Sequence, residues 1–174
     1  MNAWRFPIIK HAWGLPKMSA DSFVRDSSDS HPIVLCCGDS ITHGHIGYDW
    51  VGALREKDSS KIYVNAGING DLAWNLNQRL ENALQCNPDY ITILIGTNDA
   101  MGSQKIQFIQ ESYVTNKELP QLPSIDWYEK ELESILGSKI IDETNKSIYF
   151  AIDKNNLVIS SNPKNIHSSI EEID

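Results

Sequence analysis

The chain has 174 residues, the length of one domain that is large enough to bury a hydrophobic core. Its 15 Lys and Arg residues are outnumbered by 23 Asp and Glu residues, so the net charge is −8 and the clustered positive charge that binds a nucleic-acid backbone is not expected. The composition, 41% apolar and 22% charged, excludes a disordered chain, and no apolar run approaches the roughly 20 residues that span a bilayer.

Residues 1–30 are predicted to form an N-terminal extension and linker. Charged residues and proline interrupt the apolar residues of the first 16 positions, so a signal peptide is not expected. Residues 19–30 are rich in serine and aspartate, which is typical of a linker.

The three cysteines do not form a disulfide framework, because their number is odd and Cys36 and Cys37 are neighbours within one apolar run. Neighbouring residues of a strand point to opposite faces. A reducing compartment, the cytoplasm, is therefore the expected location.

Residues 31–174 are predicted to form the folded domain, in which strands and helices alternate. Apolar runs predict strands at residues 32–37, 62–66 and 90–95. Apolar residues at helical spacing predict helices at about 48–57 and 72–84, between these strands. The alternation indicates βαβ units and a three-layer α/β/α sandwich with a parallel sheet.

The order of the elements is less regular after the third strand. Residues 101–124 contain one short helical pattern and two prolines, and we expect a lid or rim. A helix is predicted from Trp127 to about Ile141, with Ser124 or Asp126 as its N-cap. Further strands are predicted at residues 147–152 and 157–160.

Three polar loops follow the three predicted strands directly. Their sequences are Gly38-Asp39-Ser40, Gly67-Ile68-Asn69-Gly70-Asp71 and Gly96-Thr97-Asn98-Asp99. Because the carboxyl ends of parallel strands meet at one edge of the sheet, we expect these loops to share a ligand site. They offer a hydroxyl nucleophile, a glycine N–H that an oxygen can approach closely, and a side-chain amide donor, which together are what acyl transfer requires.

These blocks resemble the conserved blocks of the SGNH hydrolases, also called the GDSL esterase and lipase family. The likeness extends along the first block through Ile41, Thr42, His43 and Gly44. The resemblance implies a flavodoxin-like α/β/α fold that hydrolyses acyl esters of small molecules or carbohydrates. It implies that Ser40 is the nucleophile and that Gly70 and Asn98 complete the oxyanion hole. No cofactor and no metal ion are predicted.

One block of the family is missing from this sequence. The family places its catalytic base and the carboxylate that orients it in an Asp-x-x-His motif near the C-terminus, and the 174 residues contain no such spacing. His167 has Lys164 in the matching position, and it is the candidate for a substitute base. The missing block predicts a C-terminally incomplete domain whose hydrolase activity is impaired.

The candidate residues also have plainer interpretations. Gly-Asp-Ser, Gly70 and Asn98 could serve only as turn and cap residues. His43 and His45 could be imagined as bases or metal ligands, but two histidines at this spacing without a third ligand are expected on the surface or rim. The carboxylates of Asp71 and Asp99 are expected to accept hydrogen bonds that order the loops.

Two functions from different classes therefore stay open. The first is a serine ester hydrolase, and the second is a non-catalytic relative that at most binds such ligands. A flavodoxin-like nucleotide binder is disfavoured, because no glycine-rich phosphate loop follows the first strand and Asp39 would repel phosphate. The sequence makes no prediction about the oligomeric state.

Overall fold

The computed structural model describes residues 14–26, 30–45, 47–137, 149–153 and 156–160. This part of the chain contains a five-stranded sheet with the strand order β2-β1-β3-β5-β4. The strands are β1 (Ile33–Gly38), β2 (Ile62–Gly67), β3 (Tyr90–Leu94), β4 (Tyr149–Asp153) and β5 (Asn156–Ser160).

Six helices lie in the same ranges. They are α1 (Ser40–His43), α2 (Trp50–Lys57), α3 (Ala73–Leu84), α4 (Thr97–Gly102), α5 (Gln107–Lys117) and α6 (Ile125–Ser134). The short helices α1 and α4 occupy stretches that the sequence predicts only as loops, whereas the others confirm predicted helical patterns. None of these helices is both long enough and apolar enough to cross a membrane.

The first three strands form the parallel sheet that the alternation of strands and helices predicts. The central strand β1 pairs in parallel with β2 and with β3. In this register Gly38 lies opposite Gly67 on one side and opposite Leu94 on the other. The carboxyl ends of the three strands are therefore level, and the loops that follow them begin at one edge.

Helices cover both faces of this parallel sheet. On one face of β1, Leu35 and Cys37 pack against the buried side of α3. On the other face, Val34 and Cys36 pack against Val51 of α2. The two adjacent cysteines thus point to opposite faces, as expected for a strand. The three-layer α/β/α arrangement is confirmed.

The amphipathic helix α3 provides the largest apolar face against the sheet. Leu76 and Leu80 are fully buried, and the remaining buried apolar residues follow the three- and four-residue spacing seen in the sequence. Truncating such a leucine to alanine typically costs about 2 to 5 kcal/mol of stability. This packing holds the helix that follows the second polar loop.

The strands β4 and β5 depart from the parallel arrangement. β5 pairs with β3 in the antiparallel direction, and β4 pairs in the same way with β5. Only two residues separate β4 from β5 in the sequence, and a parallel pair needs a connection of a dozen or more residues. The sheet is therefore mixed, and the expected parallel arrangement holds for β1, β2 and β3.

The segment before β1 covers part of the outer edge of β2. The backbone N–H of Asn65 donates to the Met18 carbonyl at 3.0 Å, and the N–H of Ala20 donates to the Asn65 carbonyl at 3.2 Å. Ser19, between these partners, is buried. Part of the predicted linker therefore packs against the sheet, and the boundary of the domain at residue 31 stays a prediction.

Candidate active site

Ser40 lies at the carboxyl end of β1, where it is the first residue of α1. Asp39 is the N-cap of this short helix, and its carboxylate accepts a hydrogen bond from the Ile41 backbone N–H at 2.9 Å. Ser40 is half-buried and Asp39 is fully buried. The cap thus determines the position of the serine at the edge of the sheet.

The second loop packs directly against α1. A side chain at Gly67 would overlap the backbone nitrogen of His43, so only glycine allows this approach. The Asn65 side chain joins the same two segments, because its amide donates to the Thr42 carbonyl and its oxygen accepts from the Gly67 N–H, both at 2.9 Å. The first and second loops are therefore neighbours, as the sequence predicts.

Gly70 lies in a left-handed turn of the second loop, with φ +75°. The next residue, Asp71, is buried and forms ion pairs with Arg79 at 2.8 Å and with Lys117 at 2.6 Å. The Lys117 ammonium also donates to the Asn69 carbonyl at 2.9 Å. Side chains from α3 and α5 therefore hold the loop on both sides of Gly70.

Asn98 connects the third loop to the other two. Its side-chain amide donates to the Asp71 carbonyl at 3.0 Å and to the Asp39 carboxylate at 3.3 Å. Its side-chain oxygen accepts a hydrogen bond from the Tyr113 hydroxyl at 2.8 Å. The buried Asn98 thus contacts the residue before Ser40 and the residue after Gly70, so the structure brings the three predicted blocks together.

The pKa values of two carboxyl groups in these loops, those of Asp39 and Asp99, are raised. Burial is the main reason that the pKa of Asp99 rises to about 6, and the negative charges of Asp39 and Asp71 add to it. The pKa of Asp39 is raised in the same way, chiefly by burial and further by the charge of Asp71. Asp71 forms ion pairs with both Arg79 and Lys117. Asp71 and Asp99 are acceptors that order the loops, as expected.

The two histidines near Ser40 occupy different environments. His43 is 8% exposed, so the expected surface or rim position is wrong for this residue, whereas His45 is exposed. The reason is that α1 packs against β2 through Gly67, and the resulting burial lowers the pKa of His43. Neither ring hydrogen-bonds to Ser40. His167 lies outside the described residues.

Three residues of the site were not identified from the sequence: Tyr113, Lys117 and Arg79. Arg79 lies eight residues after Asp71, which precedes helix α3, so helical spacing gives no signal for this ion pair. Tyr113 and Lys117 are four residues apart and share a face of α5, but nothing in the sequence shows which loops that face contacts. Across the described ranges, no group of three or more potential ligands could hold a metal ion.

Residues 36–149, which include Ser40, Gly70 and Asn98, match the sequence profile of the GDSL-like Lipase/Acylhydrolase family. The chain belongs to the GDSL-like lipase/acylhydrolase family. The resemblance seen in the three sequence blocks is thereby confirmed. No curated protein matches the sequence at a significant level.

Several solved structures resemble this GDSL-like chain. One is the acetyl xylan esterase AlAXEase, with 21% identity and a TM-score of 0.47, covering 65% of this chain and 54% of that one. A second is a catalytic mutant of an acetylxylan esterase from Geobacillus stearothermophilus, with 26% identity and a TM-score of 0.46, covering 64% and 55%. A third is the esterase EstA from Pseudoalteromonas sp., with 22% identity and a TM-score of 0.38, covering 65% and 73%. The chain thus spans about half the length of the two acetyl xylan esterases.

Proposed function

We propose that this chain carries the nucleophile and the oxyanion-binding residues of a serine ester hydrolase, which acts on acyl esters of small molecules or carbohydrates. The observation that carries the proposal is the position of Asn98, whose amide hydrogen-bonds to Asp39 and to Asp71. These partners directly precede Ser40 and directly follow Gly70. These contacts support the convergence of a hydroxyl, a backbone N–H and a side-chain amide on one carbonyl group.

In the proposed reaction the Ser40 oxygen forms a bond to the ester carbonyl carbon and gives its proton to a base. The carbonyl oxygen becomes an oxyanion, which accepts hydrogen bonds from the backbone N–H groups of Ser40 and Gly70 and from the Asn98 amide. The ester C–O bond then breaks, the alcohol leaves with the proton, and water hydrolyses the acyl-enzyme. Loss of one such donor typically costs about 2.7 to 4 kcal/mol of transition-state stabilisation.

The Asn98 amide has two hydrogen-bond acceptors within the protein. Its bond to the Asp71 carbonyl is the shorter, at 3.0 Å, and its bond to the Asp39 carboxylate is the longer, at 3.3 Å. Because the longer bond is the weaker, we infer that the substrate oxygen replaces Asp39 as the acceptor. The Asp71 bond then continues to hold the amide in place.

The base is the part of the proposed site that the described residues do not provide. Neither His43 nor His45 hydrogen-bonds to Ser40, and no Asp-x-x-His spacing occurs among the 174 residues. His167 is the candidate within the sequence for a substitute base.

A reducing compartment, the cytoplasm, is the proposed location, because Cys36 and Cys37 are buried free thiols on opposite faces of β1.

The proposal is tested with p-nitrophenyl acetate and the purified chain. We expect Ser40→Ala to abolish hydrolysis and Ser60→Ala, a serine change beside Asp58 and away from the site, to leave it unchanged. Mass spectrometry of rapidly quenched samples should find an acetyl group on the peptide that contains Ser40. Equal hydrolysis by the unmodified chain and Ser40→Ala would contradict the proposal.

The second candidate function is binding of an acyl ester without turnover. The missing Asp-x-x-His spacing favours it, because a serine hydroxyl without a base stays protonated at neutral pH. Calorimetric titration with an acetylated sugar separates the two functions. Saturable binding that Ser40→Ala retains, without any Ser40-dependent hydrolysis, would support the binding function.

A further inference from the structure

Helix α5 (Gln107–Lys117) contacts the proposed site through polar side chains, and none of its residues is fully buried. Two of its side chains extend to the site. Tyr113 donates to the Asn98 side-chain oxygen at 2.8 Å, and Lys117 donates to the Asn69 carbonyl at 2.9 Å and pairs with the Asp71 carboxylate. These two residues are four apart, so they lie on one face of the helix.

The two contacts reach different halves of the proposed oxyanion hole. Tyr113 contacts the side chain that provides the amide donor, and Lys117 contacts the residues on either side of Gly70. We propose that α5 positions the oxyanion hole, with Tyr113 setting the orientation of the Asn98 amide and Lys117 holding the Gly70 turn. The inference rests on the proposed function, since it assigns roles within the same site.

The hydrogen-bond partners of Asn98 define the orientation of its amide. The Asp39 carboxylate, when ionised, and the Asp71 carbonyl can only accept, so the NH₂ group must face them. The opposite end, Oδ1, then accepts from the Tyr113 hydroxyl. Without that hydroxyl, Oδ1 loses its partner, and rotation of the amide out of the site becomes less costly.

Lys117 acts on the backbone of the second loop. Its ammonium bridges the Asn69 carbonyl and the Asp71 carboxylate, and its side chain is only 18% exposed. Between these two partners lies Gly70, and because glycine restricts its own backbone least, contacts on both sides are what limit the conformations of the turn. Arg79 holds Asp71 from the other side, where it also donates to the Gly38 carbonyl. Lys117 therefore adds the connection from the turn to α5.

The first test is structural and does not depend on turnover. We compare the ¹H–¹⁵N resonances of the Asn98 side-chain amide and the Gly70 backbone N–H in the full chain and in two variants. Tyr113→Phe should move the Asn98 resonances, and Lys117→Met should move that of Gly70. The matched controls are Tyr63→Phe and Lys61→Met, which remove a hydroxyl and an ammonium that contact Asp58, away from the site.

The second test is kinetic and uses the Ser40-dependent hydrolysis of p-nitrophenyl acetate. Tyr113→Phe should lower kcat roughly two- to tenfold with KM unchanged, because a hydrogen bond that supports the transition state is lost. Lys117→Met should also lower kcat, and Lys117→Arg, which keeps the positive charge, should restore part of it. A helix with only a structural role would not show this separation of kcat from KM or the rescue.

The outcomes separate this inference from the proposed function. Resonances of Asn98 that move no further in Tyr113→Phe than in Tyr63→Phe overturn the inference, whatever the turnover. Shifted resonances with an unchanged Ser40-dependent kcat overturn it as well. If the unmodified chain has no Ser40-dependent hydrolysis, the proposed function fails, and the resonances alone then decide whether α5 sets the geometry of Asn98 and Gly70.

Discussion

Asp99 accepts a hydrogen bond from the Ala73 backbone N–H through both carboxylate oxygens, at 3.2 and 3.1 Å. Ala73 is the first residue of α3, so the carboxylate of the third loop lies at the N-terminus of the helix that follows the second loop. A negative charge is favourable at this end of a helix. Burial of Asp99 opposes its ionisation, and the two effects together make its charge sensitive to pH.

The first prediction concerns stability and pH. Because folding raises the pKa of Asp99 from its ordinary value of 3.8 to about 6, the folded protein keeps a proton that the unfolded chain loses between these values. The contribution of Asp99 to stability is therefore fully present below pH 3.8 and is lost as the pH rises through 6. In Asp99→Asn the side-chain oxygen still accepts a hydrogen bond from the Ala73 N–H, but the side chain does not ionise. This variant should therefore not lose stability as the pH rises.

Urea unfolding at several pH values measures the effect. We expect Asp99→Asn and the unmodified chain to differ little near pH 4, and the variant to be more stable at pH 7.5 by on the order of 2 kcal/mol. Asp21→Asn, at an exposed aspartate outside the site, is the matched control. A difference between variant and unmodified chain that is the same at both pH values would contradict the prediction.

The second prediction concerns the turn at Gly70. Its φ of +75° lies in the left-handed region, where a residue with a Cβ atom is less stable than glycine by about 1 to 2 kcal/mol. Gly70→Ala should lower the free energy of unfolding by about that amount, and Gly70→Asn should lower it less, because asparagine tolerates this conformation better. Gly47→Ala is the control, since no atom lies within 4 Å of the added group. Equal unfolding midpoints for Gly70→Ala and Gly47→Ala would show that the turn does not require glycine.

The third prediction concerns the packing of α1 against β2. A Cβ atom at Gly67 would overlap the backbone of Thr42 and His43, which cannot move without displacing Ser40. Gly67→Ala should therefore destabilise the fold by about 1 to 3 kcal/mol, the usual cost of overpacking. Urea unfolding beside the Gly47→Ala control measures this cost. A Gly67→Ala chain as stable as the control would mean that α1 adapts without strain.

The fourth prediction concerns the missing base. The 174-residue chain should retain only the acceleration that the oxyanion hole and binding provide, roughly 10³ to 10⁴ over water. Addition of a C-terminal segment with Asp-x-x-His from a close relative should raise Ser40-dependent hydrolysis of a short-chain ester by far more than tenfold. If the two chains differ by less than tenfold, a substitute base is present, and loss of activity in His167→Ala would identify it.

The sequence alone predicted the elements whose patterns are local. The strands β1, β2 and β3 are short apolar runs, and α3 repeats its leucines at three- and four-residue intervals. The burial of these elements can therefore be predicted without knowledge of the rest of the chain. The loops that contain Ser40, Gly70 and Asn98 are predicted in the same way, because each loop follows a strand directly, whereas the roles of these three residues come from the resemblance to the GDSL family. Their convergence then follows from the parallel direction of the strands.

The tertiary structure alone decided the contacts that join distant segments. The hydrogen bond of Lys117 to Asn69 spans 48 residues, and that of Tyr113 to Asn98 spans 15. The sequence places both side chains on one face of α5, but whether that face meets the site depends on how the connection between α4 and α5 directs the helix. The burial of His43 was missed for a similar reason, since it depends on the approach of α1 to Gly67. Local sequence patterns indicate which residues are apolar and which favour turns. The contacts between distant segments depend instead on how the helices and strands are placed relative to one another.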